Sequence, residues 1–382
     1  MKRYLDYNAS TPLDERVLAA MVECMEGLPG NPSSTHQFGR ALRARLDRAR
    51  EQVAALVGVQ PTQVIFTGGG SEANNLALHA VTAGQAAGRL AVSRIEHPSV
   101  LEPARAMAAR GWQLDLVEVD DQCRVTTQAL AEKLHSDTRL VSVMMANNET
   151  GAIQDIAALA EQARAAGAVF HTDAVQAAGK IGLDFESSGA QLLTLSAHKI
   201  YGPRGVGALI VDKALEPAPL VYGGGQERGL RAGTENVAGI VGFGVAAELA
   251  KAELESRASH ARGLRDRLEK GLARYPEITR FAGHAERLPN TVQLAVAGID
   301  GETLLMQLDR EGIAVSSGSA CASGKSEASH VLLAMGVDAT VARGAIRVSF
   351  GKETSVADID ALLAALDKQI KWLHKAGQAA GW

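Results

Sequence analysis

From residue 64 to residue 211, short apolar runs alternate with stretches of helical period. The runs at 64–67, 90–95, 114–119, 140–145, 168–172, 192–195 and 206–211 have the length and composition of buried strands. Segments 71–83, 99–110, 127–134 and 156–165 between them read as helices. Strands separated by a helix do not close as hairpins. They cross over, which lays them largely parallel in one sheet with helices on both faces. Ligands of such sheets bind beyond the carboxyl ends of the strands, and the polar clusters of this chain fall there repeatedly.

The pattern changes after residue 236. A long helical stretch, 237–274, leads to a strand at 291–296, a helix at 302–310, a strand at 346–350 and an amphipathic helix at 358–373. The expected organisation is a large α/β domain over 11–250 and a smaller α+β domain from 1–10 and 251–382, with a cysteine-bearing loop at 316–329. A chain of 382 residues can bury a core in each. A net charge of −4 argues against a nucleic-acid surface or a polybasic membrane anchor. No apolar run reaches membrane-spanning length, and residues 1–6 lack the apolar centre of a signal peptide, so a cytoplasmic location is expected. The cysteines, Cys24, Cys123 and Cys321, are too few for a disulfide framework or a Cys-rich zinc site, and no metal is expected. Cys24 falls on an apolar helix face and reads as core; Cys123 sits in a polar turn with no evident role.

The stretch LLTLSAHKIYGPRG, 192–205, carries the sharpest chemistry. An apolar strand delivers Ser196, His198 and Lys199 into a Gly/Pro turn. A lysine at the mouth of a buried strand is poorly solvated, so its amine tends toward the neutral, nucleophilic form. Such an amine can form a Schiff base with an aldehyde cofactor such as pyridoxal phosphate. Asp173 ends the strand at 168–172, where a carboxylate can hold a pyridinium N–H or simply cap a helix. His97 follows the strand at 90–95 and could stack on a cofactor ring or move protons, or serve structurally. Asn148, in NNETG at 147–151, suits either a turn or a cofactor hydroxyl. The run TGGGSE at 67–72 joins a strand to a helix, so helix amides with the Ser71 hydroxyl would hold one phosphate. It lacks the spacing of dinucleotide and nucleotide motifs.

Cys321 lies in SSGSACASGK, 316–325, a loop of small residues with no apolar periodicity. Such a loop is expected to be exposed and mobile, and a thiol there can react and pass its product to a partner. Arg347 stands in an otherwise apolar strand, where an unpaired guanidinium is costly. It should meet a carboxylate, from a structural Asp or Glu or from a substrate, and the substrate is preferred here.

Ten short motifs, in order, then carry a resemblance. They are YLDYNASTP (4–12), GNPSSTH (30–36), FTGGGSEANN (66–75), EHPSV (96–100), NNETG (147–151), HTDAVQAAGK (171–180), SAHKIYGPRG (196–205), QERGLRAGTEN (226–236), SSGSAC (316–321) and IRVSFG (346–351). Together they resemble the NifS/IscS-type cysteine desulfurases, pyridoxal-phosphate enzymes of aminotransferase class V with fold type I. HTDAVQA, RAGTEN and SHVLLAMG look closer to the NifS branch. Gly70-Ser71 stands where the family often has Ala-Thr, and Ala197 where it often has Gly.

The resemblance implies a role for each matched residue. Lys199 would carry the cofactor as a Schiff base and remove the substrate Cα proton. Asp173 would pair with the pyridine nitrogen, His97 would stack on the ring and take part in catalysis, and Gln176 and Asn148 would face its hydroxyl. Gly70, Ser71, Ser196 and His198 would bind the phosphate. Thr234 would reach the phosphate in the other subunit of a homodimer. Arg347, with Asn148, would bind the substrate. Cys321 would attack the sulfur of L-cysteine, leaving alanine and an enzyme persulfide. The sulfur would pass to an acceptor protein, for iron–sulfur cluster assembly, tRNA thiolation or another thio-cofactor. A selenocysteine lyase or an aminotransferase on the same scaffold, or a non-catalytic sulfur-transfer scaffold, are the alternative readings.

Overall fold

The computed structural model describes residues 2–27, 29–317 and 328–379. Cys321 and most of the loop expected around it lie outside the described residues. The strands, in chain order, begin with β1 (Arg3–Tyr4), β2 (Val64–Thr67), β3 (Arg89–Ser93), β4 (Gln113–Val117), β5 (Thr138–Ser142) and β6 (Val169–Asp173). They continue with β7 (Leu192–Ser196), β8 (Gly207–Val211), β9 (Ile278–Arg280), β10 (Thr291–Val296), β11 (Ile313–Ala314), β12 (Ser316–Ser317) and β13 (Ala345–Ser349).

Among the described residues the larger sheet has seven strands, ordered β2-β8-β7-β6-β5-β3-β4. All neighbours pair in parallel except those of β8, which runs antiparallel to both β2 and β7. β7 and β8 are joined by the short Gly/Pro turn rather than a helix, so a reversal is the geometry open to them. The carboxyl ends of β3, β5, β6 and β7 therefore line up on one rim. β2, β7 and β8 are buried along their whole length, as continuous apolar runs covered on both faces require.

A second sheet, β12-β13-β10-β9, is antiparallel, and β1 pairs in parallel with β11. Over it pack Leu264, Leu268 and Leu272 of one helix and Ile359, Leu362, Leu366 and Ile370 of helix Val356–Ala379, in a cluster separate from that of the large sheet. The N-terminal segment stitches the two: Leu5 sits in this second cluster, whereas the Thr11 amide donates to the carbonyl of His198.

One expectation needs correction. The helical stretch 237–274 is two helices, Val237–Ala252 and Leu254–Leu272, parted at Glu253. The first buries Ile240, Phe243, Ala247 and Ala250 against the large sheet's core, and the second turns its leucines to the other core. One straight helix could not do both. The Glu253 carboxylate accepts from Arg16 and Arg257 and fixes the corner. Cys123, set in a polar turn, is fully buried: its backbone adopts φ 64°, which directs the side chain into a cluster with Ile95 and Met144. Burial pushes its thiol up to about 12. Cys24 is buried, as expected of a core residue. No helix among the described residues is long and apolar enough to cross a membrane.

Candidate active site

A cavity of about 290 Å³ opens at the rim where the parallel strands end. Its lining includes Gly70, Ser71, His97, Asn148, Asp173, Gln176, Ser196, His198, Lys199 and Arg347, every residue singled out from the sequence within the described chain except Thr234.

Lys199 closes the short turn Ala197–Lys199 that follows β7. Its Nζ donates to the main-chain carbonyls of Asn8 (2.5 Å) and Ala9 (2.8 Å). Neighbouring His198 places Nδ1 3.3 Å from the Ser10 hydroxyl. Burial, then the charges of Lys199, Arg204 and Lys180, push its imidazole down to about 4, so it is neutral at pH 7.

Asp173 is the last residue of β6 and is buried. One oxygen accepts from Asn74 Nδ2 at 2.8 Å, the other from the Val175 amide at 2.9 Å. The Asn74 amide also donates to the Ser99 hydroxyl at 2.9 Å, and that hydroxyl lies 2.7 Å from His97 Nδ1. The Ser99 amide donates to the same Nδ1 at 3.1 Å. Because Nδ1 accepts, the neutral ring carries its proton on Nε2. Burial holds His97 below the usual histidine range, against the pull of Asp173. A continuous hydrogen-bonded chain thus runs from the imidazole to the carboxylate.

Helix Gly70–Thr82 begins where β2 ends, with its first amides at the cavity. Gly69 adopts φ 148°, which an L side chain disfavours. A Cβ on Gly70 would stand 3.1 Å from Val175 Cγ2 and 3.3 Å from Ser196 Cβ, so the missing side chain keeps this corner open. Free helix amides, the Ser71 hydroxyl and the Ser196 hydroxyl there fit a phosphate.

Arg347, on β13, is 2 % exposed. Its Nη2 meets Asp6 at 2.8 Å and its Nη1 donates to the Asn148 carbonyl at 3.0 Å. The carboxylate expected for it is therefore in part structural, and it is Asp6. Its Nε is buried without a hydrogen-bond partner, as is Asn74 Oδ1. An aldehyde-reactive amine, a carboxylate, a phosphate corner and a guanidinium around one cavity fit pyridoxal phosphate with an amino acid. Thr234 is exposed and does not line this cavity. Among the described residues no cluster of His, Cys, Asp or Glu could hold a metal ion.

Sequence reasoning missed Asn8, Asn74, Ser99 and Lys180. Asn8 and Lys180 lie in motifs already quoted, but a single amide or amine there carries no signal until distant segments meet.

The Aminotransferase class-V family profile matches residues 3–362. The chain is 43 % identical to Cysteine desulfurase 2 of Trichormus variabilis, over 97 % of this chain and 94 % of the relative. Among solved structures, the NifS-like protein from Rickettsia africae superposes with a TM-score of 0.88 at 34 % identity, covering 96 % of this chain and 99 % of that one. SspA in complex with cysteine gives 0.81 at 31 % identity, covering 92 % and 100 %. Coverage of this extent leaves no large part of either fold without a counterpart. The chain belongs to the class-V aminotransferases, pyridoxal-phosphate-dependent enzymes, and within them to the NifS/IscS-type cysteine desulfurases.

Proposed function

We propose that this enzyme converts L-cysteine to L-alanine and delivers the sulfur, through a persulfide on Cys321, to an acceptor protein. The observation that carries the reading is the convergence of Lys199, Asp173 and Arg347 on one cavity at the strand ends. When bound, pyridoxal phosphate draws electrons from the substrate's Cα, which renders the neighbouring C–S bond breakable.

The chain's own residues supply the rest. Lys199 holds the cofactor through its amine and serves as the base for the Cα proton. Asp173, fixed by Asn74 and the Val175 amide, is the counter-charge for a ring N–H. His97 stacks on the ring, with its proton kept on Nε2 by Ser99. Gly70, Ser71, Ser196 and His198 take the phosphate, while Gln176 and Asn148 face the ring hydroxyl. Arg347, already braced by Asp6 and the Asn148 carbonyl, binds the substrate carboxylate through N–H groups not spent on them. The Cys321 thiolate attacks the substrate sulfur: an S–S bond forms, the C–S bond breaks, and its electron pair stays on carbon, where a proton completes the alanine methyl.

The same reading assigns Thr234 to the phosphate of a partner subunit. Support comes from Leu220, Val221 and Tyr222, all exposed, which run beside Arg231 and Ala232 in the segment leading to Thr234. It also divides the chain into 11–250 and 1–10 with 251–382; the two largest buried clusters fall mainly on either side of that boundary, and a third, with Ile95, Met144, Val331 and Leu332, crosses it. A cytoplasmic location agrees with the unpaired Cys24 and Cys123.

The test is turnover of L-cysteine with a thiol reductant, measuring alanine and sulfide. Cys321→Ala is expected to retain the cofactor's visible absorbance and lose turnover by two orders of magnitude or more. Wild-type sulfide release from that variant would remove the persulfide step.

A further inference from the structure

Lys180 has no part in the mechanism above, yet its amine lies within one hydrogen-bonded step of the group that seats Lys199. Its Nζ donates to Gln176 Oε1 at 2.6 Å and to Asn8 Oδ1 at 3.2 Å. Neither acceptor is charged, and among the described residues Lys180 makes no ion pair. Burial and the charges of Lys199 and Arg347 hold its amine well below the ordinary lysine value. Its N–H groups meet both acceptors.

Asn8 is the hub of this network. It is 1 % exposed, and its side-chain amide is saturated: Oδ1 accepts from Lys180 and from Asn290 (3.0 Å), and Nδ2 donates to Thr291 Oγ1 (2.9 Å) and to the Asn148 carbonyl (3.2 Å). Its main-chain carbonyl accepts from both Lys199 Nζ (2.5 Å) and Gln176 Nε2 (2.9 Å). The Gln176 amide must therefore face Asn8 with nitrogen, not oxygen. Lys180, donating to the Gln176 oxygen on the far side, holds the same orientation from behind. Reversed, the Gln176 oxygen would confront the Asn8 carbonyl and drive it away from the Lys199 amine.

We propose that Lys180 is a positioning residue for Lys199, acting through Gln176 and Asn8 to fix the carbonyl that receives the Lys199 amine. Lys180 does not line the 290 Å³ cavity; with Lys199 and Asn290 it borders a smaller one of about 30 Å³, room for about one water molecule. It acts from behind the site. The charged groups on neighbouring elements are otherwise committed: Arg347 to Asp6, Lys352 to Asp14, Arg257 to Glu253 and Asp173 to Asn74.

The proposal rests on the reading of Lys199 as the cofactor-bearing lysine, and the experiment separates the two. Cofactor-free wild type, Lys180→Met and Lys180→Arg are mixed with pyridoxal phosphate. The rate of capture is followed by absorbance, and the linkage is fixed with borohydride and located by mass spectrometry. Lys180→Met keeps the buried stem but removes both donors. Its capture at Lys199 is expected to slow about tenfold or more, and kcat of the loaded enzyme to fall about 10–100-fold with KM for L-cysteine within twofold. Lys180→Arg, which keeps the donors, should recover most of both. Should Lys180→Met fail to fold, Lys180→Leu, which also lacks a donor, carries the same expectation. Capture by the donor-less variants at the wild-type rate overturns the proposal, as does equal loss in Lys180→Arg. A wild-type linkage found away from Lys199 overturns instead the reading on which it rests.

Discussion

His171 and Glu96 are buried titratable side chains that the proposed chemistry leaves unused, and both make stability depend on pH. His171 bridges neighbouring strands, with Nδ1 2.8 Å from the Ser142 hydroxyl and Nε2 3.1 Å from that of Thr194. Burial lowers it from the ordinary 6.5 to about 4. Between those values the unfolded chain binds the extra proton, so His171 erodes stability as pH falls from 6.5 toward 4. Glu96, which accepts from the Ser93 hydroxyl and the Met144 amide, is raised by burial from 4.5 to about 8. Here the folded chain binds the extra proton, so Glu96 erodes stability as pH rises from 4.5 toward 8. The pH dependence of denaturant midpoints of the cofactor-free protein should accordingly lose the His171 contribution between about pH 4 and 6.5 in His171→Gln, and the Glu96 contribution between about pH 4.5 and 8 in Glu96→Gln. Unchanged pH profiles would show that these groups titrate alike in both states. At this scale the sequence is legible where chemistry coincides with a pattern break: Lys199 and Asp173 stand at the ends of apolar runs. Asn8 and Lys180 do not, because their partners come from segments as far apart as residues 8 and 290.

The elements of the large sheet follow their apolar runs to within a few residues, since a fully buried strand has one composition open to it. Their order does not follow from local pattern, and neither does the reversed direction of β8. The short β1, β9 and β11 carry no period to detect and exist through their partners. Helix 237–274 looked continuous because both halves are good helix formers; the corner at Glu253 arises from two cores competing for one chain. The phosphate corner depends on close backbone approach at a second glycine. A Cβ on Gly207 would fall 2.5 Å from the Gly69 carbonyl carbon and 2.7 Å from the Leu195 oxygen, all backbone that cannot yield cheaply. Gly207→Ala is therefore expected to weaken pyridoxal phosphate binding at least tenfold and to lower the thermal midpoint by several degrees. An affinity titration followed by a melt checks both, and an unperturbed affinity would detach β8 from the phosphate corner.

Over the whole molecule, the segment that carries Thr234 is held rigidly from within and left apolar without. Glu227, with φ 46°, is buried and ion-paired to Arg50 at 2.6 Å, and Arg231 pairs with Glu72 of the cavity helix at 2.8 Å. Tyr222, beside it, is 75 % exposed. Tyr222→Asp is expected to shift sedimentation from a dimer toward a single chain and to lower cofactor affinity, whereas a dimer of unaltered strength would remove this surface from the interface. The change of pattern after residue 236 is plain in the sequence; the stitch made by the N-terminal segment is not, because nothing in MKRYLDYNAS announces where its partners lie. That stitch also orders events during synthesis. Asp6 and Asn8 are made well before Thr291, Arg347 and Ser349, which hold them. The seat of the Lys199 amine is consequently finished only after residue 349 has been made, so a polypeptide ended before that point carries Lys199 without the means to aim it.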